Sequence, residues 1–138
     1  DLFNCYSCGF HPKVISRVWI KGFEEEFIVC LKDINPGKSE ISHDLSKKKL
    51  SKGTFGDEFH VFGVEWTEGG INWTLDGESW QKQKKWSTDK FPFPAPFDQR
   101  FHLILNIAVG GRFVGAPSAK TNFPVKMEVD WIRVYQPK

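Results

Sequence analysis

Residues 59–80 read FHVFGVEWTEGGINWTLDGESW, and this stretch decides the fold class. Phe59 to Trp66 mixes β-branched and aromatic residues in a run of strand length, and Thr67-Glu68-Gly69-Gly70 is a turn. Ile71 to Leu75 and Glu78 to Gln81 then flank Asp76-Gly77. Asp-Gly between two such runs is a strong hairpin signal, because both positions tolerate the positive φ that a two-residue β-turn demands. Three short strands linked by tight turns therefore form the centre of the chain.

The same pattern extends in both directions. Upstream, Val14 to Ile20 and Phe27 to Leu31 read as strands. Residues 32–58 are polar, with Asn35-Pro36-Gly37 as a turn signal and Lys47, Lys48 and Lys49 as a solvated loop. Downstream, Pro92, Pro94 and Pro96 forbid a central strand over 91–97 and imply an ordered loop. Phe101 to Val109 is a long apolar strand ended by Gly110-Gly111, and Val125 to Gln136 is the last strand. No window combines apolar spacing of three to four with a helix cap. Many strands with Gly/Pro turns predict an all-β sandwich of a single domain over residues 1–138.

Composition narrows the function. The 138 residues carry 19 Lys and Arg against 17 Asp and Glu, a net charge of +2. Such balance argues against a nucleic-acid partner, which calls for a strong basic field. No apolar run reaches the roughly 20 residues of a bilayer span, and nothing at the start resembles a signal peptide. The chain opens on Asp1, which reads as a processed or trimmed start. Aromatic residues make up 15%, with 13 Phe and 6 Trp. Flat rings serve both β-sheet cores and the faces of sugars, so the excess leaves both uses open.

Three blocks in order, FHVFGVEWTEGGINWTLDGESW, PAPFDQRFHLILNIAVGG and FPVKMEVDWIRVYQ, resemble the C-terminal half of glycoside hydrolase family 16, in its laminarinase (endo-β-1,3-glucanase) branch. The resembling part runs from 53 to 136, and 1–52 is a divergent N-terminal segment. The resemblance implies a concanavalin A-like jelly roll of two curved antiparallel sheets, with a β-glucan polysaccharide or oligosaccharide lying in the concave cleft. It also implies a retaining hydrolase, in which a nucleophile and an acid/base carboxylate stand about 5–5.5 Å apart, and an extracellular setting. Family domains are longer than this chain, so residues 1–52 or a second chain must supply further strands.

The family motif, Glu-x-Asp-x-Glu or its form with one extra residue, aims alternate strand carboxylates into the cleft. In this chain the upstream acidic cluster is Glu24-Glu25-Glu26. Aligning Trp19 with the tryptophan five residues before the family nucleophile puts Glu24 at the nucleophile and Glu26 at the aspartate. The acid/base then falls on Ile28 or Val29, which have no proton to give. Loss of general acid–base help costs about 10²–10⁴-fold in rate. The expected role is thus β-1,3-glucan handling without a complete retaining pair. The alternatives are an active endo-β-1,3-glucanase with another catalytic strand, and a non-catalytic glucan-binding or incomplete domain.

For sugar contact the resemblance points to Asn106, on the more polar side of the 101–109 strand, and to Arg112 and Phe113 after the Gly-Gly pair. Trp80 and Trp86, flanking a lysine-rich loop, are expected to be partly exposed and open to stacking, and Trp19 joins them through the alignment; Trp66 and Trp131 are expected in the core. The family's structural calcium would use Asp130, although calcium wants six to eight oxygens, and a pairing of Asp130 with a lysine or arginine is the competing use. Cys5, Cys8, His11 and Cys30 have only part of a zinc spacing. Cys30 could equally pair with Cys5 or Cys8, or all three thiols could be free. Asn72-Trp73-Thr74 satisfies the glycosylation pattern but sits on a strand, where it is expected to go unused.

Overall fold

The structure, a computed structural model, describes residues 13–21, 27–33, 43–67, 69–84, 86, 90–95, 97 and 123–135, with scattered positions between 103 and 121. Over 27–33 and 43–47 it describes the backbone alone. All regular elements among these residues are strands: β1 (Lys13–Lys21), β2 (Phe27–Asp33), β3 (His43–Lys49), β4 (His60–Thr67), β5 (Gly70–Leu75), β6 (Glu78–Gln83) and β7 (Lys126–Tyr135). Five form one antiparallel sheet in the order β6-β5-β4-β1-β7, and β2 and β3 form a second, two-stranded sheet. Lys48 of β3 reaches Glu78 of β6 at 3.8 Å, which ties the small sheet to the β6 end of the large one.

The hairpin read from residues 59–80 is present. Asp76 and Gly77 take φ of 51° and 86°, as a primed turn requires. Asp76 also holds the turn onto β4. Its backbone N–H donates to the Val61 carbonyl at 2.8 Å, its Oδ1 accepts from the Val61 N–H at 2.8 Å, and its Oδ2 meets His60 Nδ1 at 2.8 Å.

Strand alternation gives the large sheet two unlike faces. Val18, His60, Ile71, Leu75 and Gln81 lie buried on one, where Phe55, 1% exposed, packs against His60 and Phe62 at ring distances of 5.2 and 6.2 Å. The other face is charged and self-neutralised. Lys13, Arg17 and Lys21, four residues apart on β1, pair with Glu65, Asp130 and Glu128 at 2.6, 2.7 and 2.8 Å. Arg17 also lies over the Phe59 ring, Lys21 over Trp19 and Arg133 over Trp131, at 4.8, 4.3 and 4.4 Å.

Two expectations change. Lys47, Lys48 and Lys49 are strand, not loop: β3 pairs with β2 from Phe27↔Lys49 to Asp33↔His43. The partner strand overrides weak intrinsic preference, and lysines suit a strand whose outer edge must not recruit another chain. In the apolar 101–109 run, the described Leu103, Leu105 and Val109 lie outside any strand and are 41, 45 and 53% exposed.

Replacing Asp76 removes two hydrogen bonds and puts a less tolerant residue at positive φ. Asp76→Ala is expected to lower unfolding free energy by about 2 kcal/mol in urea, and Asp76→Asn, which tolerates the same φ, by about half as much. A second prediction concerns Glu65, whose carboxyl is held below the ordinary glutamate range by its bond from Lys13 and then by that from Asn72. A lowered folded pKa gives stability that is present above the unfolded value, about 4.3, and lost as pH falls through the folded one. Glu65→Gln should therefore flatten the acid limb of the stability curve below about pH 4.3 while costing about 0.5 kcal/mol or less at neutral pH, because the pair is solvent-screened.

Candidate functional site

The described residues expected to touch a ligand fall in separate parts of the large sheet. Trp19 stands on the charged face of β1. Its Nε1–H donates to the Gly56 carbonyl at 2.7 Å, and its ring meets Phe59 edge-on at 5.3 Å beneath the Lys21 ammonium. β1 itself runs between β4 and β7. Trp80 is half-buried at the irregularity of β6, where Trp73 pairs with Gln81 and Thr74 with Ser79, leaving Trp80 without an opposite residue. Trp131, expected in the core, is half-buried on the charged face under Arg133.

Trp86 differs from its expected exposure. It is 7% exposed, and its Nε1–H is shared by the carbonyls of Pro94 and Ala95 at 2.9 and 3.1 Å. The reason lies in the Pro-rich loop, which folds into two successive turns, Ala95 N–H to Pro92 O at 3.0 Å and Phe97 N–H to Pro94 O at 3.1 Å. These turns aim their carbonyls at the indole. A row of rings results: Trp66 to Phe97 at 6.1 Å, Phe97 to Trp86 at 5.0 Å and Trp86 to Phe93 at 4.7 Å. Beside it, Gly69, Lys84, Trp86 and Phe93 line an open pocket of about 380 Å³. Neither Lys84 nor Phe93 was picked out by motif. The available signal was the alternation of Phe91, Pro92, Phe93 and Pro94 after the lysines of 82–90.

Asp130 is the extra residue of a bulge in β7, between the pairs Arg17↔Trp131 and Val18↔Val129, and its Oδ2 accepts from Arg17 at 2.7 Å. Of the two uses expected for this carboxylate, the structure displays the ion pair. Among the described residues no group of three or more His, Cys, Asp or Glu side chains gathers. Asn72 is engaged at both ends of its amide, donating to Glu65 Oε2 at 2.9 Å and accepting from Ser79 Oγ at 2.5 Å. Glu24, Glu26, Asn106, Arg112, Phe113, Cys5, Cys8 and His11 lie outside the described residues, as does the side chain of Cys30.

Buried His60 and exposed Asp76 have the look of an acid–base dyad, but the second ring nitrogen of His60 is sealed from solvent without a partner. Both Asp76 oxygens are used in tying the β5–β6 turn to β4. The arrangement is structural and gives no route for a proton to a ligand.

Comparison with known proteins accounts for this arrangement of strands. The family model for glycosyl hydrolases family 16 matches residues 35–133. Over 89 residues the chain is 42% identical to a glucan endo-1,3-beta-glucosidase A1 of Niallia circulans, taking in 60% of this chain and 13% of that relative. The catalytic domain of an endo-1,3-beta-glucanase (laminarinase) from Thermotoga petrophila superposes with a TM-score of 0.69 and 25% identity, over 94% of this chain and 65% of that one. An endo-beta-1,3-glucanase from Pyrococcus furiosus does so with a TM-score of 0.68 and 25% identity, over 91% and 60%. The chain thus spans under two thirds of each solved domain and about an eighth of the Niallia relative. Its fold is the jelly-roll β-sandwich of these laminarinases, and the chain belongs to glycosyl hydrolases family 16.

Proposed function

We propose that this chain handles β-1,3-glucan as part of a laminarinase-like domain, and that its own residues do not complete the retaining pair of carboxylates. The observation that carries the glucan reading is the superposition of 94% of the chain on a laminarinase catalytic domain. The carboxylates offered by sequence, Glu24 and Glu26, leave Ile28 or Val29 where the acid/base belongs. A glycosidase without a proton donor for the leaving oxygen keeps its affinity and loses most of its rate.

In this reading Asn106, ahead of the Gly110-Gly111 pair, and Arg112 and Phe113, after it, hold the glucan. Trp80 adds stacking area. Trp19 serves the charged outer face rather than the cleft, since its indole N–H and its ring are already engaged there. An extracellular setting follows from a polysaccharide substrate too large to enter a cell. No helix of the described residues is long and apolar enough to cross a membrane.

Two measurements on the purified chain test the proposal together. Affinity electrophoresis through laminarin is expected to retard it, and a reducing-sugar assay on laminarin is expected to show no release above the protein-free control. Absence of retardation would contradict glucan handling, and release of reducing ends would contradict the incomplete catalytic pair. Asn106→Ala is expected to weaken the retardation by about tenfold, the loss of a buried hydrogen-bonding contact to a sugar hydroxyl.

A further inference from the structure

We infer that the pocket lined by Gly69, Lys84, Trp86 and Phe93 is an accessory site for a β-glucan that carries anionic substituents. This rests on the glucan reading above and adds to it a second place of contact and a charge preference.

The pocket has three features that a sugar carrying a negative group would use. Its volume, about 380 Å³, lies at the small end of the roughly 300–1,000 Å³ range of ligand sites, enough for a short stretch of polysaccharide in an open trough. One wall is aromatic. Phe93 is 45% exposed, held at 4.7 Å and tilted by 44° against Trp86, which the Pro94 and Ala95 carbonyls fix in place. A ring braced from behind and open in front presents a rigid apolar plate at low entropic cost, as a pyranose face requires. The remaining wall carries charge. Lys84 is exposed and has no acidic partner among the described residues, unlike Lys13, Arg17 and Lys21, each paired with a carboxylate.

The local backbone keeps the trough open. Gly70, at φ +157°, sits so close to the end of β6 that an added Cβ would meet the Gln83 carbonyl at 2.5 Å, and this seats the β4–β5 turn against Lys84. Gly69 beside it faces open space, with Thr67 Oγ1 at 3.9 Å as its nearest neighbour. Larger side chains at Gly69 would enter the trough.

The chemistry selects the occupant. Neutral glucan can stack on Phe93 but leaves Lys84 unused. A carboxylate or sulfate ester on the sugar pairs with it, an interaction that weakens with salt. Nucleic acid offers rings and negative charge too, but the chain's net charge of +2 gives no field to hold a polyanion along its length.

The test compares binding of laminarin, carboxymethylated β-1,3-glucan, polyglutamate and a single-stranded oligonucleotide to the full chain at low and at high salt. The carboxymethylated glucan is expected to bind about threefold more tightly than laminarin at low salt, a preference that fades at high salt. Lys84→Gln should erase the preference and leave laminarin binding unchanged. Phe93→Ala should weaken the carboxymethylated glucan by about fivefold, and Gly69→Gln should obstruct it, with the far-UV circular dichroism of all three variants that of the parent. A preference that survives Lys84→Gln or Gly69→Gln overturns the inference, as does equal binding of polyglutamate or the oligonucleotide. Laminarin that binds with no charge preference sinks this inference alone. If neither laminarin nor the charged glucan binds, the glucan reading fails and this inference falls with it.

Discussion

The structure depends on one strand being hydrogen-bonded on both sides. β1 lies between β4 and β7, matched to β4 from Lys13↔Glu65 to Val18↔His60 and to β7 from Lys13↔Tyr135 to Lys21↔Lys126. The β1–β4 partners lie 42 to 52 residues apart in the chain and the β1–β7 partners more than a hundred, so the loops between them close only if the strand contacts repay their entropy. The repayment comes from both faces of β1. Val18 is buried with His60 on the inner side, and the three cations of the outer side each find a carboxylate. Exposed pairs of this kind contribute little one by one. Here they fix register, because a slip by one residue would bring every cation of β1 to the apolar side.

Much of this was legible in the sequence. The runs at 14–20, 59–66 and 71–75 carry the β-branched and aromatic residues that strands favour, and Asp76-Gly77 specifies its turn by local chemistry alone. What could not be read locally was decided by partners. Lys47, Lys48 and Lys49 have no strand pattern of their own and become strand because β2 lies beside them. Trp86 sits in a polar stretch that suggests exposure, yet two carbonyls of the Pro-rich turns take its N–H and bury it. Asp130 could have served a cation of either kind, and the register of β1 against β7 brings Arg17 to it.

The functional residues divide along the same line. The family resemblance singled out Asn106, Arg112, Phe113, Glu24 and Glu26, which lie outside the described residues. Lys84 and Phe93, which line the pocket, carry no motif. They meet because the β4–β5 turn is seated on the end of β6 and the Pro-rich loop folds back over it. The strand order thus brings pocket-lining residues together where no spacing in the chain announces it. Leu103 and Leu105 are exposed where the sequence reading expects a core-facing strand.

Amide hydrogen exchange on the native chain, resolved by residue, tests the central claim most directly. With β1 held from both sides, the amides of 14–18 and of 61–65 should be the slowest to exchange and should be lost together as denaturant is added, with β6 opening earlier. Exchange of 14–18 as fast as that of β6 would contradict the pairing of β1 between β4 and β7, and with it the placement of every site described above.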